Sequence, residues 1–288
     1  MPYIQSRRAY RQKPPAGVAP DLGHPQLKGI QHLWTFANHG QDYVRDNRLS
    51  LYQGATWGVS GKGYVVDIAP TSSPPQLLRG IHIAYADEFT VVISLYVRSA
   101  PNAYSYYWND GAWGDSQSLN ILLNDAASNQ WLGYRIDTGS HDIQVNPTTI
   151  KWVTGWNTLI FRRRANYIDA CINTIDNNDT NTSTQSGAFQ SADTSPYGEF
   201  YVGSRGNADA TRDSDILVNH ARVYSQYIPD GQALDILKDP WAPFSRPLPI
   251  WIPSGAAPPA WSNTMNEISA PGAVNEITNA NIQTINEI

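Results

Sequence analysis

Between about residue 30 and residue 224 the apolar side chains come in short bursts, never in long runs. "HLWTF", "GYVVDI", "FTVVISLYV", "LNILLN", "WLGYRID", "IKWVTG", "WNTLIFRRR", "YIDACIN", "FYVGSR" and "ILVNHARVY" follow one another, parted by Gly, Asn, Asp, Ser or Pro. Runs this short, rich in Val, Ile, Tyr, Phe and Trp and bounded by turn formers, are β-strands. In "FTVVISLYV", Phe89, Val91, Ile93, Leu95 and Val97 alternate with Thr90, Val92, Ser94 and Tyr96. One face is core and the other only semi-polar, which predicts a strand in the middle of a two-sheet sandwich. Ten such strands predict an all-β sandwich or jelly roll.

The period changes at "PDGQALDILKD", residues 229–239, where Ala233, Leu234 and Leu237 share a helical face and Asp230 suits the N-cap. Pro240 ends that helix. The ribbon behind it, "PWAPFSRPLPIWIP" at 240–253, is stiff through proline yet carries Trp241, Phe244 and Trp251. It is predicted to pack back over the sandwich, burying Trp241 and Phe244. Three zones result: an arm at 1–29, a jelly roll at 30–253 with the helix and ribbon, and a tail at 254–288.

The arm holds Arg7, Arg8, Arg11, Lys13 and Lys28 against a single acid, Asp21, and five prolines keep it extended. It is expected to need a surface to lie on. In the tail "NEI" recurs at 266–268, 275–277 and 286–288. Ile268, Ile277 and Ile288 each follow an apolar residue three positions earlier, and the segment is too polar for a core of its own. It is either a flexible tail or a core shared between copies of the chain.

Composition narrows the classes. Charged residues are 16% of the 288, and the 32 aromatics include 10 Trp and 16 Tyr; low charge and many aromatics favour an all-β domain. A net charge of −5 offers no general attraction to nucleic acid or to membrane surfaces. The lone Cys171 excludes an intrachain disulfide framework and a cysteine zinc site. No apolar run reaches the roughly 18 residues of a spanning helix. The N-terminal stretch lacks the apolar region of a secretory signal, so assembly in a cytoplasm is expected.

The two ends carry a resemblance. "YRQKPPAGVAPDLGHPQLKGI" is similar to the start of many phage-encoded proteins, in which a basic, Pro-containing arm turns into the first strand. "ARVYSQYIPDGQALDILKDPWAPFSRP" resembles their end: a last strand, a short helix, then Asp-Pro-Trp with a Phe three residues on. Between them "EFTVVISLYVRS", "WNTLIFRRRANYIDACIN" and "FYVGSRG" look like strands of a laminin-G-like, concanavalin A-like jelly roll. The likeness spans residues 7–247. The chain departs from it at Thr174, where family hairpins run Asn-Gly, and throughout the tail.

The resemblance implies a virion structural protein on the outer surface of a phage particle, assembled in the host cytoplasm. The extended arm and repeat tail, both devices for assembly, favour a capsid decoration or cement subunit among such proteins, bound to the major capsid protein or other virion proteins and forming a homo-oligomer, with a trimer favoured. Arg7, Arg8, Arg11, Lys13, Trp241, Phe244, Ile268, Ile277 and Ile288 are then its assembly residues. The alternative is a tail-fibre or baseplate adhesin for host surface glycans.

Candidate chemistry is sparse. Glycoside hydrolysis needs paired carboxylates, and outside the tail repeats Glu88 and Glu199 each stand alone before an apolar strand. No nucleophile elbow, P-loop or His-Glu-x-x-His motif occurs; no catalytic residue or cofactor is assigned, and the chain is not read as an enzyme. Calcium is the one cofactor to weigh, through Asp176 and Asp179 in "NTIDNNDTNTS", against a plain polar hairpin tip. "YSYYWNDGAW" offers Tyr107, Trp108, Asn109, Asp110 and Trp113 to a glycan, or else turns these aromatics into the core or an intersubunit contact. In "FRRRANY", alternation sets Arg162 and Arg164 on one face and Arg163 on the other, which argues against a nucleic-acid surface and for salt bridges to a neighbouring subunit.

Overall fold

The alternating runs form strands that pair antiparallel in two sheets. A computed structural model of the chain describes residues 13–14, 18–69, 76–81, 83, 85, 88–99, 104–110, 119–124, 131–136, 154–164, 167–173, 175, 179–182, 199–204 and 214–244, apart from residue 38. These belong to the unit Arg8–Ser245. Its strands are β1 (Ile30–Trp34), β2 (Ser50–Tyr52), β3 (Thr56–Ser60), β4 (Gly63–Ile68), β5 (Leu77–Ile81), β6 (Phe89–Ser99) and β7 (Tyr104–Asp110). They continue as β8 (Leu119–Asn124), β9 (Trp131–Ile136), β10 (Gly155–Arg164), β11 (Tyr167–Ile172), β12 (Asp179–Thr182), β13 (Glu199–Val202) and β14 (Asp215–Tyr224), and helix α1 is Asp230–Lys238.

One sheet runs β12-β11-β10-β6-β14-β4-β3 with β1 also paired to β14; the other runs β2-β5-β13-β7-β8-β9. β14 lies along β6 for its whole length, from Asp215↔Ser99 to Tyr224↔Thr90. Its other edge is shared: β4 takes Ile216–Val218 and β1 takes Ala221–Tyr224. The core between the sheets contains Phe89, Val91, Ile93, Leu95 and Val97, the alternate set read from the sequence, with Trp34, Trp108, Phe161 and Phe200. The result is the all-β jelly-roll sandwich that the strand pattern predicts. No helix among the described residues is long and apolar enough to cross a membrane.

The semi-polar face of β6 is semi-polar because it is covered. Val92, Ile160, Cys171 and Tyr224 on the outside of the larger sheet bury Ile228, Ala233 and Ile236. The helix thus turns Ala233 and Ile236 inward, while Leu234 and Leu237 are only half-buried. Asp230 is not the N-cap. Pro229 occupies that place with no side-chain cap bond, and the Asp230 carboxylate instead pairs with the fully buried Arg162 at 2.7 Å. A buried guanidinium without an anion costs more than an uncapped N–H at the solvent, so the carboxylate goes to the guanidinium.

A second patch on that face joins Leu27 and Leu33 to Trp241 and Phe244, with Val18, Ile30, Tyr43 and Val44 against it. The ribbon's Trp241 and Phe244 are 4% and 2% exposed. The latter part of the expected arm therefore lies on its own sheet. Asp21 N–H donates to Pro243 O at 2.7 Å. Gln26 Nε2 donates to the Asp235 and Asp239 carbonyls at the end of α1, and Tyr224 OH donates to Gln26 O. The Gln26 amide thus adds a second donor to carbonyls that already accept from Asp239 N–H and Ala242 N–H, tying the arm to the end of the helix.

Lys13 reaches furthest. It is 8% exposed, and its Nζ donates to Tyr64 O at 2.5 Å and Asn219 O at 2.8 Å. Asn219 sits at the irregularity between Val218 and His220, where β14 passes from β4 to β1. The amine supplies the donors that the ladder lacks there, and a Trp241 ring lies 5.9 Å from it. Burial pushes its pKa down to about 6, and two N–H bonds are what a neutral amine has to give.

Candidate functional site

The aromatic run proposed for a glycan goes into the core. Tyr107, Trp108, Asn109 and Asp110 are 0–2% exposed. Trp108 donates its indole N–H to Tyr85 OH and lies 4.8 Å from Phe200, and an Asp110 oxygen accepts from Ile83 N–H. β7 lies between β13 and β8, with both of its edges paired, and Tyr107 and Trp108 belong to the core cluster. These four residues present no surface to a sugar; Trp113 lies outside the described residues.

The other assigned residues scatter. Asp179 opens β12 and pairs by backbone with Ala170; Asp176 lies outside the described residues. Among the described residues no three His, Cys, Asp or Glu side chains are grouped to hold a metal. Arg7, Arg8, Arg11, Ile268, Ile277 and Ile288 lie outside them too. Lys13, Trp241 and Phe244 are buried within this chain. Arg162 turns under α1 to the Ile228 carbonyl and Asp230, and Arg162 and Arg164 both stand over the Tyr227 ring at 4.7 and 4.8 Å. Arg162, expected to face a neighbouring subunit, serves this chain's own fold, while Arg164 is exposed.

What the structure does assemble is a polar and aromatic cluster on the outside of the smaller sheet. Leu51, Leu78 and Phe200 point into the core; by alternation their neighbours Tyr52, Arg79, Glu199 and Tyr201 point outward. Register brings them together: Arg79 stands opposite both Ser50 and Tyr201, and Glu199 opposite Ile81. Gly80 sets the depth of β5, because a Cβ there would meet Leu49 Cδ2 at 2.4 Å and Phe200 Cε1 at 2.6 Å.

Arg79 and Glu199 form an ion pair, with side chains 42% and 27% exposed. Tyr201 OH donates to the second Glu199 oxygen at 2.5 Å. The Arg79 guanidinium stands 5.4 Å from the centroid of the Tyr52 ring, and Tyr52 is 38% exposed. Burial pushes the Tyr201 phenol up, with Tyr52 adding to the effect and the Arg79 charge opposing it. An exposed ion pair contributes at most about 1 kcal/mol to stability. Its chemistry is a fork of N–H donors beside an ionised acceptor and an open ring, a set that takes hydroxyls and C–H faces together.

Glu199 is held by Arg79 and Tyr201, neither of them a carboxylate, so these bonds do not assemble an acid–base pair. Glu88 is exposed at the start of β6. Asp215 binds Arg98 at 2.8 Å and Ser99 at 2.8 Å on the larger sheet. Sequence reading left Glu199 as a lone charge and did not single out Arg79. Alternation in "EFYV" already puts Glu199 and Tyr201 on one side; what it lacks is the pairing of β13 with β5, 120 residues apart at Arg79 and Glu199.

No known family and no curated protein matches this chain. Solved structures do. Domain 4 of AbnA, a GH43 extracellular arabinanase from Geobacillus stearothermophilus, in complex with arabinotriose, is 13% identical with a TM-score of 0.55, over 72% of this chain and 98% of that one. Botulinum neurotoxin type C, whose cell entry depends on interaction with two ganglioside molecules, is 9% identical with a TM-score of 0.52, over 73% of this chain and 50% of that one. Trypanosoma rangeli sialidase in complex with 2,3-difluorosialic acid is 13% identical with a TM-score of 0.50, over 73% of this chain and 33% of that one. The chain thus spans half of the neurotoxin chain and a third of the sialidase chain. At these identities the likeness is one of fold: this chain shares its β-sandwich with domains of sugar-handling proteins.

Proposed function

We propose that this chain is a non-catalytic, lectin-like module of a phage particle that holds glycans on the outer face of its smaller sheet. The observation that carries this reading is the Tyr52–Arg79–Glu199–Tyr201 cluster, an exposed ring beside a donor fork and an acceptor. Support also comes from the sandwich shared with an arabinanase domain solved with arabinotriose and with a neurotoxin that engages gangliosides. The phage setting rests on the arm and Asp-Pro-Trp signatures at the two ends, and the laminin-G-like, concanavalin A-like kinship on the strands "EFTVVISLYVRS", "WNTLIFRRRANYIDACIN" and "FYVGSRG" between them. In that setting the module is a tail-fibre or baseplate adhesin for host surface glycans.

A second reading, a capsid decoration or cement subunit, is favoured by the repeat tail and the basic arm. Its partners are the major capsid protein and further copies of this chain, with a trimer favoured. Locating the chain in an intact particle separates the two settings.

The glycan reading is tested on a glycan array with the full chain and with Tyr52→Ala and Arg79→Ala. Binding that falls at least about tenfold in both variants, each folded by circular dichroism, supports it. Wild-type binding that survives both moves the site elsewhere. Release of reducing ends from a bound glycan makes the chain an enzyme after all.

A further inference from the structure

We infer that the cluster on the smaller sheet selects neutral saccharides over acidic ones, because its one guanidinium is already neutralised by its own carboxylate. This rests on the glycan reading and deepens it. The fold leaves the matter open: its neighbours include structures with neutral arabinotriose and with a sialic acid derivative.

The charges on this face decide it. A sugar carboxylate is bound by a cation that is free to pair with it. Arg79 is not free, since Glu199 on the adjacent strand takes its Nη2. Tyr201 reinforces that arrangement by donating to the other Glu199 oxygen, which holds the carboxylate in place. An incoming carboxylate would have to desolvate beside Glu199 and share a guanidinium already in use.

Arg48, the next cation before β2, is exposed and adds its charge to the desolvation that holds the His39 imidazole below its ordinary range. Among the described residues the flank also carries apolar surface. Ile81 is 61% exposed beside Glu199, and Tyr52 offers a ring.

The same geometry suits a neutral sugar. A guanidinium carries five N–H donors, and the ion pair uses only part of them. Each Glu199 oxygen has a lone pair to spare. Two neighbouring hydroxyls of one sugar can therefore donate to Glu199 and accept from Arg79 while its C–H face lies on Tyr52. None of this requires the ion pair to break.

The experiment is an array of neutral and acidic bacterial and animal glycans, followed by titration calorimetry on matched pairs such as N-acetyllactosamine and its 3′-sialylated form. It uses the full chain and Glu199→Gln. The wild type is expected to bind neutral members at least about tenfold more tightly than their acidic counterparts, the scale of one uncompensated surface charge contact. Glu199→Gln frees the guanidinium and is expected to move that ratio about tenfold toward the acidic members. Equal or tighter binding of acidic glycans by the wild type, or a ratio that Glu199→Gln leaves unmoved, overturns the inference while the glycan reading stands. Absence of binding to every member removes both.

Discussion

A lysine amine taken out of water must find partners or lose its proton, and Lys13 does both. In the fold its pKa is about 6, against 10.5 for the free side chain. Between these values the unfolded chain binds one proton more than the folded one, so stability rises with pH through that window. Below about 6 both states are protonated and the full penalty of a buried ammonium remains. Lys13→Met is expected to flatten this dependence, losing the gain in unfolding free energy that the wild type makes from pH 6 to pH 9. Chemical denaturation of both proteins at the two pH values measures it, and equal slopes would show that the amine stays charged. His220, fully buried nearby, is held below its ordinary range by its own desolvation and by Arg222, Lys13 and Lys62. Lys13→Met relaxes this histidine as well, so the part of the gain above about pH 8, where an imidazole is neutral folded or unfolded, is the part that belongs to Lys13 alone. No pattern in "RQKPPAG" marks Lys13 for burial. Its two acceptors are main-chain carbonyls, which exist at every residue and carry no sequence signal.

The proline ribbon and the helix before it act as one cover. The Trp241 ring stands edge-on to His220 at 5.1 Å and to Phe244 at 5.9 Å, while Arg222 donates to the Pro240 carbonyl. Trp241→Ala therefore opens a cavity over the larger sheet and is expected to cost about 3–5 kcal/mol. A melting temperature within a degree of the wild type would show that the cover contributes nothing. This much was legible: Trp and Phe among prolines cannot remain in water, and the helix read at 229–239 forms at Asp230–Lys238. The inward face of β6 was legible too, from strict alternation; that of β14 was not, because the irregularity between Val218 and His220 shifts its inward set from Ile216 and Val218 to Ala221 and Val223. Strand pairing was not. β7 reads as an open aromatic strand until β13 and β8 close on both its sides. The Arg79–Glu199 contact depends on the same kind of distant pairing, which is why a cluster made of ordinary strand residues went unread.

At the scale of the whole molecule, β14 is the last strand among the described residues and lies near the middle of its sheet, between β6 on one side and β4 with β1 on the other. Ile30 pairs with Tyr224 across nearly the whole domain. On a ribosome, the long apolar face of β6 and the edges of β1 and β4 emerge well before the strand that joins them. Sandwiches of such non-local pairing fold in about milliseconds to seconds, and unpaired edges invite association while they wait. A chain ending at residue 213 is expected to lack cooperative unfolding and to be cut rapidly by protease, whereas one ending at residue 253 resists. Equal protease resistance would mean that the sheet closes without its central strand. For a cell producing this protein in quantity, the last tenth of the domain to be translated decides whether the first nine-tenths fold or aggregate, so elongation speed through residues 214–244 becomes a determinant of yield.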